Sequence, residues 1–325
     1  MKTDKPAILV TGGAGYIGSH VAYSLLDQSE SVVILDDLSE GSLSLVPNAA
    51  TFIKGDIHDE PLIGKLVAEH GIDTVMHFAS FVKVDESVRE PEKYETNNVG
   101  GTQALVRASK KAGVGHIIFS GSASVYGDAQ VNPIPEDAPL KPVSPYAQTK
   151  MRAEEIVLAA GIKAVSLRYF NPAGTDPSGR TGYRTDVMPT HLVRNAVRAA
   201  LRLLPEFKLF GTDYPTPDGT CIRDFVHIAD LADAHLSVLS YLRAGGETRI
   251  YNCGSGRGYS VSEVVNAVKK VSGYDFPVSK EKRRQGDPPA LVADITRIKH
   301  DLGWKPKRDL ETMVRDEIAW VQSHL

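Results

Sequence analysis

Apolar positions in the first half of the chain fall in short continuous runs, separated by stretches with helical spacing. Ala7-Ile8-Leu9-Val10, Ser31 to Leu35, Ala50 to Lys54, Thr74 to Phe78, His116 to Ser120 and Ala164 to Tyr169 read as strands. Helices are predicted over Gly15 to Leu26, Asp59 to His70, Tyr94 to Ala112 and Tyr146 to Ala160. Ser144 suits the cap of the last of these and Pro145 its first turn, where a missing N–H costs nothing. Strands alternating with helices imply right-handed crossovers and a parallel sheet covered on both faces.

After Phe170 the rhythm breaks. Gly, Pro and Asp accumulate in Asn171 to Arg184, Tyr214 to Gly219 and Gly286 to Pro289, around helices near Pro189 to Arg202, Asp230 to Leu242 and beyond Ser260. Ser260-Val261-Ser262-Glu263 is a capping box. The pattern predicts a first domain over 1–170 and a smaller α/β lobe over 171–325, with some interleaving of the chain. The Pro-rich stretch Asn132 to Pro145 is expected to wrap the surface.

At 325 residues, with 42% hydrophobic and 24% charged side chains, the composition excludes a disordered or fibrous chain. Lys and Arg (37) against Asp and Glu (40) leave a net charge of −3, no footprint for nucleic acid or an anionic membrane. No apolar run is long enough to span a bilayer. Met1 to Pro6 leads straight into the first strand without a signal-like segment, which sets the expectation of a cytoplasmic protein. Cys221 and Cys253 stand far apart and read as reduced. The ten histidines show no ligand spacing, so no metal site is expected.

Between the first strand and first helix lies Thr11-Gly12-Gly13-Ala14-Gly15-Tyr16-Ile17-Gly18. Glycines at 12, 15 and 18 permit a tight turn, close backbone approach to a pyrophosphate, and a helix N-terminus aimed at it. Asp36 ends the second strand about 20 residues on, where a carboxylate accepts from the ribose hydroxyls of NAD and would repel a 2′-phosphate. Asp56, in the turn after the third strand, is placed to meet the adenine edge or to serve a surface turn. Together these features predict a Rossmann-type doubly wound sheet that binds NAD.

Tyr146 and Lys150, four residues apart, share one helical face. They follow a strand that ends in Ser120-Gly121-Ser122-Ala123-Ser124, at the sheet edge where ligands bind. A phenol, an ammonium and a hydroxyl gathered beside a dinucleotide loop suit proton transfer coupled to redox chemistry.

The chain resembles an extended short-chain dehydrogenase/reductase and, within that superfamily, is similar to the UDP-glucose (UDP-galactose) 4-epimerase family. The resemblance runs through Thr11 to His20, Val32 to Leu38, His77 to Ser80, Asn97 to Val99, Ser120 to Gly127, Ser144 to Lys150, Tyr169 to Gly174, Phe210 to Gly219, Arg223 to His227 and Arg284 to Asp287. It implies Tyr146 as catalytic base, Ser122 as partner of the substrate oxygen, and Lys150 on the nicotinamide ribose. Tyr16, Ile17, Asp36, Asp37, Leu38, Asp56, Ile57, Phe78, Ala79, Asn97 and Phe170 would join the glycines around NAD. Asn171, Val187, Phe210, Arg223, Arg284, Asp287 and Leu291 would hold a UDP-sugar.

The implied reaction interconverts UDP-galactose and UDP-glucose through a 4-keto sugar, with transient reduction of bound NAD. Tyr146 must then ionise. Bringing a phenol from about 10 to near 7 takes about 4 kcal/mol, which Lys150 and the oxidised nicotinamide are expected to supply. A homodimer formed through the helices of Tyr94 to Ala112 and Tyr146 to Ala160 is also implied.

Several positions depart from the family pattern. Asp37 stands where Asn is usual, Asp186 replaces an Asn before Val187-Met188-Pro189, and Lys83 is displaced by one place, with Val82 at the usual lysine. Leu291, between Tyr and Ser or Cys in size where the family's side-chain size governs room for a 2-N-acetyl group, leaves UDP-GlcNAc open as a substrate, and UDP-pentose or UDP-uronate stays open because the same hydride machinery would serve it. A 4,6-dehydratase would carry an acid–base pair where Ala123-Ser124 stand. A non-catalytic NAD sensor would not need Ser122, Tyr146 and Lys150 together.

Overall fold

In a computed structural model of the chain, residues 6–187, 190–284 and 287–325 are described. The expectations for Met1 to Lys5, Met188-Pro189 and Gln285-Gly286 lie outside those residues. The chain divides into two compact units. One comprises residues 1–125, 142–168 and 232–251, the other residues 126–141, 169–231 and 252–325.

The first unit is built on a sheet entered by β1 (Ala7–Thr11), α1 (Tyr16–Asp27), β2 (Ser31–Asp36), β3 (Thr51–Lys54), α2 (Glu60–His70) and β4 (Ile72–His77). Two short helices follow, α3 (Val84–Arg89) and α4 (Pro91–Tyr94), then a π turn over Glu95–Gly101 that runs into α5 (Thr102–Ala112). β5 (His116–Ser122), α6 (Pro145–Leu158) and β6 (Lys163–Tyr169) complete the alternation. β1 to β5 pair in parallel in the order β3-β2-β1-β4-β5, and β6 continues beyond β5. All five residues of β1 are buried, as a central strand covered on both faces requires. The chain leaves β1 toward β2 and later returns on its other side as β4. That reversal opens the crevice in which doubly wound sheets bind ligands.

Helix ends follow their sequence signals. Asp59 Oδ1 accepts from Leu62 N–H at 2.9 Å to cap α2, and Ser144 Oγ accepts from Ala147 N–H at 3.2 Å to cap α6, with Pro145 in its first turn. The helix expected over Tyr94 to Ala112 is widened by the π turn. Asn98 accounts for this: its carboxamide accepts from Phe81 N–H and donates to Phe81 C=O and Thr149 Oγ1, all within 3.1 Å. Gly101 lets the turn approach the chain after β3, since a Cβ there would lie 2.4 Å from Ile57 Cδ1.

The second unit contains β7 (Asn171–Ala173), α7 (Leu192–Ala200), β8 (Phe207–Phe210) and β9 (Ile222–His227). α8 (Ile228–Arg243) and β10 (Arg249–Cys253) carry the chain out to the first unit and back, and β10 is the edge strand beside β6. β11 (Gly258–Ser260), α9 (Val261–Ser272), β12 (Val278–Glu281), β13 (Ala290–Leu291), α10 (Thr296–Leu302) and α11 (Leu310–Ser323) follow. β9 pairs in parallel with β7 and β13 and antiparallel with β11, while β8 pairs in parallel with β12. The capping box of α9 forms in full, Ser260 Oγ accepting from Glu263 N–H at 3.0 Å and Glu263 Oε2 from Ser260 N–H at 2.7 Å.

The stretch Asn132 to Pro145 runs along the surface but is anchored at Ile134. Ile134 is fully buried, its N–H donates to Val292 C=O at 2.8 Å, and Asn132 Oδ1 accepts from Val292 N–H at 2.9 Å. The Ile134 backbone is satisfied by Val292 and Asp294, so this residue is buried without orphaned polar groups while most of the stretch stays exposed or half-buried. Cys221 and Cys253 are buried free thiols.

Candidate active site

The glycine loop joins β1 to α1, and each glycine does a different job. A Cβ on Gly12, whose φ is +71°, would sit 2.6 Å from Ala79 N and 2.7 Å from Phe78 C, so the loop lies directly against the end of β4. A Cβ on Gly18 would sit 2.3 Å from Gly12 O, so helix and loop pack without a side chain between them. Gly15 is the open one, meeting only Gly12 O at 3.2 Å. It also caps α1 without any side-chain acceptor, which leaves first-turn N–H groups to an anion.

An open cleft runs from Gly12 and Gly15 past Asp36, Asp37, Asp56, Ile57, Phe78, Ala79 and Asn97. Leu35, Ser39, Glu40, Gly41, Gly55, Ser80 and Phe81 also line it, none of which the sequence reading assigned. Asp36 is buried and accepts from Ala14 N–H at 2.9 Å and Leu38 N–H at 2.8 Å. Burial raises its pKa against those two bonds. Two lone-pair sites of its carboxylate remain, the number a ribose diol requires. Leu38 adopts φ +67° to make this turn, and Asp37 Oδ1 accepts from Ser39 N–H and Oγ at the exposed rim. Tyr16, Ile17 and Gly18 occupy the first turn of α1. The loop, the uncapped helix and the carboxylate together fit the diphosphate and adenosine ribose of NAD.

At the end of β5, Tyr146 Oη donates to Ser122 Oγ at 3.3 Å. Ser122 Oγ also lies 2.8 Å from Ser124 Oγ and accepts from Ser124 N–H at 3.2 Å. The backbone of Tyr146 is fixed as well, its N–H donating to Ser87 Oγ at 3.1 Å on α3, a helix the sequence pattern did not predict. Burial raises the Tyr146 pKa, and the Ser122 bond lowers it only in part.

Lys150 lies on the same face of α6 but bonds elsewhere. Its Nζ donates to Ser80 Oγ and Ser120 Oγ, each at 3.3 Å, and stands 4.4 Å from the centre of the Phe119 ring. Burial pushes its pKa down to about 7, against the pull of Glu154 one turn on. Burial therefore works against the positive charge expected beside the phenol. Glu154 is itself held by Arg168 and Ser166, all buried.

In the second unit, β9 carries Arg223 and β13 sets Leu291 in register with it. Arg223 pairs with Asp287, and the Arg284 guanidinium lies 4.2 Å over the Phe210 ring. Asn171 Nδ2 donates to Asp224 C=O at 2.9 Å, Val187 is half-buried, and the Phe170 N–H donates to Cys253 C=O at 3.1 Å. Asp186 pairs with Arg184, and in the first unit Lys83 pairs with Glu40 at 2.7 Å. Among the described residues there is no cluster able to hold a metal ion, and no helix is long and apolar enough to cross a membrane.

Known proteins align with this geometry over nearly the whole chain. The UDP-glucose 4-epimerase of Azospirillum brasilense is 47% identical over 98% of this chain and 92% of its own length, and that of Bacillus subtilis is 42% identical over 98% of both. A crystal structure of UDP-glucose-4-epimerase from Stenotrophomonas maltophila, with bound NAD and formylated UDP-arabinopyranose, superposes with a TM-score of 0.95 at 38% identity, covering 98% of this chain and 99% of that one. The Brucella ovis enzyme in complex with NAD gives 0.94 at 40% identity, covering 98% of each. With residues 8–254 matching its model from β1 through β10, the chain belongs to the NAD dependent epimerase/dehydratase family.

Proposed function

We propose that the protein is a UDP-glucose 4-epimerase, an isomerase that interconverts UDP-galactose and UDP-glucose through a 4-keto sugar. NAD, when bound, supplies the acceptor and then the donor of the hydride at the sugar C4. Gly12, Gly15, Gly18, Tyr16 and Ile17 cradle its diphosphate, Asp36, Asp37 and Leu38 its adenosine ribose, and Asp56 and Ile57 its adenine. Phe78, Ala79, Asn97, Lys150 and Phe170 hold the nicotinamide half.

Tyr146 takes the proton of the sugar 4-hydroxyl and later returns it, and Ser122 holds that oxygen. The observation that carries this reading is the Tyr146–Ser122 hydrogen bond, 3.3 Å, at the C-terminal end of β5. Because burial opposes ionisation of Tyr146, the phenolate forms only when positive charge is brought beside it. Ala123 and Ser124 offer no acid–base pair for expelling water, so the chemistry ends at epimerisation. Asn171, Val187, Phe210, Arg223, Arg284, Asp287 and Leu291 bind the UDP-sugar in the second unit, with guanidinium forks suited to the diphosphate. Leu291, intermediate in size, keeps a second reading in view: another UDP-sugar as the main substrate. The protein works in the cytoplasm as a homodimer built through the segments Tyr94 to Ala112 and Tyr146 to Ala160.

Tyr146→Phe tests the assignment. It should lower kcat for UDP-galactose by 10²- to 10⁴-fold, the usual contribution of a positioned acid or base, with little change in KM. A variant near the wild-type rate would refute the base, and deuterium from heavy water appearing at C4 would refute the hydride route.

A further inference from the structure

The turn after β3 carries a histidine that the catalytic scheme does not use. His58 Nδ1 lies 2.7 Å from Asp56 Oδ1, and the His58 backbone N–H donates to the same oxygen at 2.9 Å. Its other nitrogen, Nε2, lies 3.1 Å from the carbonyl of Thr96 in the π turn, next to Asn97 on the cleft wall. Both oxygens accept, so a bond to either one uses an N–H of the ring. Gly101 makes room for this, since a Cβ there would lie 3.2 Å from His58 Cε1. Both His58 bonds to Asp56 fall on Oδ1, and among the described residues Oδ2 has no partner. Those bonds hold the Asp56 carboxyl below its ordinary pKa although burial acts to raise it.

We propose that His58 is a positioning residue for the adenine end of NAD: it clamps Asp56 to the π turn and leaves Asp56 Oδ2 to accept from the adenine amino group. This rests on the placement of adenine at Asp56 given above. Without His58 the half-exposed carboxylate is free to rotate, and the bond to adenine must carry the cost of ordering it.

The experiment strips the full-length protein of NAD and measures the affinity of NAD and of nicotinamide hypoxanthine dinucleotide, in which a carbonyl replaces the amino group, by calorimetry. Wild type should prefer NAD by about tenfold, the worth of one charge-assisted hydrogen bond at a partly exposed site. His58→Ala should cut that preference to about twofold, and His58→Arg, which offers donors only, should restore it. A purely structural role would weaken both dinucleotides alike and leave the ratio intact, which would overturn the proposal. No preference in wild type would overturn the placement of adenine at Asp56 itself. Preference in wild type that survives His58→Ala would overturn the role of His58 alone.

Discussion

Lys150 should cost the protein stability, and the cost should depend on pH in a defined direction. Its side chain is only 3% exposed, and its pKa falls from 10.5 to about 7. At 1.36 kcal/mol per pH unit, keeping it charged in the fold costs at most about 5 kcal/mol. Replacing it with methionine, similar in length and uncharged, removes that penalty but strands the hydroxyls of Ser80 and Ser120, at about 1 kcal/mol each. The net gain is about 2–3 kcal/mol, or about 5 °C in Tm for a chain of this size. The sign follows from proton counting. Below pH 7 the lysine is charged in both folded and unfolded states, so wild type bears the full penalty. Between 7 and 10.5 the unfolded state binds more protons, so wild-type stability rises with pH and the penalty fades. His77, held down to about 3 by burial and then by the Lys150 charge, stays neutral throughout and does not confuse the comparison. Thermal melts of NAD-free wild type and Lys150→Met at pH 6 and pH 10 check this, with the variant expected to lose epimerase activity. A variant that melts below wild type at pH 6, or gains equally at both pH values, would refute the reasoning.

Two further substitutions follow from the packing. Gly12→Ala must hold an L-residue at φ +71° and push a Cβ to within 2.6 Å of Ala79 N; it should cost more than the 1–2 kcal/mol of the left-handed backbone alone and lose NAD on purification, read by urea unfolding and by nucleotide content. Glu154→Gln leaves the buried Arg168 guanidinium without its counter-charge and should destabilise by about 3–5 kcal/mol in the same unfolding assay; a loss under 1 kcal/mol would mean that water reaches the pair.

The central strands of the sheet were legible because they are buried on both faces, so their apolar runs are continuous; the edge strand β10, exposed where it starts, was not. β1 is one example, and α6 was legible with its Ser144 cap. α3 was not, because its six residues, Val84–Arg89, include exposed valines and show no apolar stripe. The π turn escaped as well, since its cause is a tertiary contact, the grip of Asn98 on Phe81 and Thr149. In the candidate site, glycine spacing announced the phosphate loop, and helical spacing put Tyr146 and Lys150 on one face. Spacing could not say that Lys150 turns to Ser80 and Ser120, or that burial would drain its charge. His58 carried no signal: a histidine two residues after an aspartate becomes informative only once Thr96 is seen beside it.

The edge strand of the seven-stranded sheet, β10, begins at Arg249, while its neighbour β6 ends at Tyr169. During synthesis about 80 residues must leave the ribosome after β6 before its partner exists, a delay of roughly 4–16 s at 5–20 residues per second. Through that interval β6 presents an unpaired rim of N–H and C=O groups able to capture a strand from another nascent chain. Chaperone demand and inclusion-body formation should therefore depend on elongation speed between codons 170 and 249, and no fragment that stops at residue 170 should remain soluble.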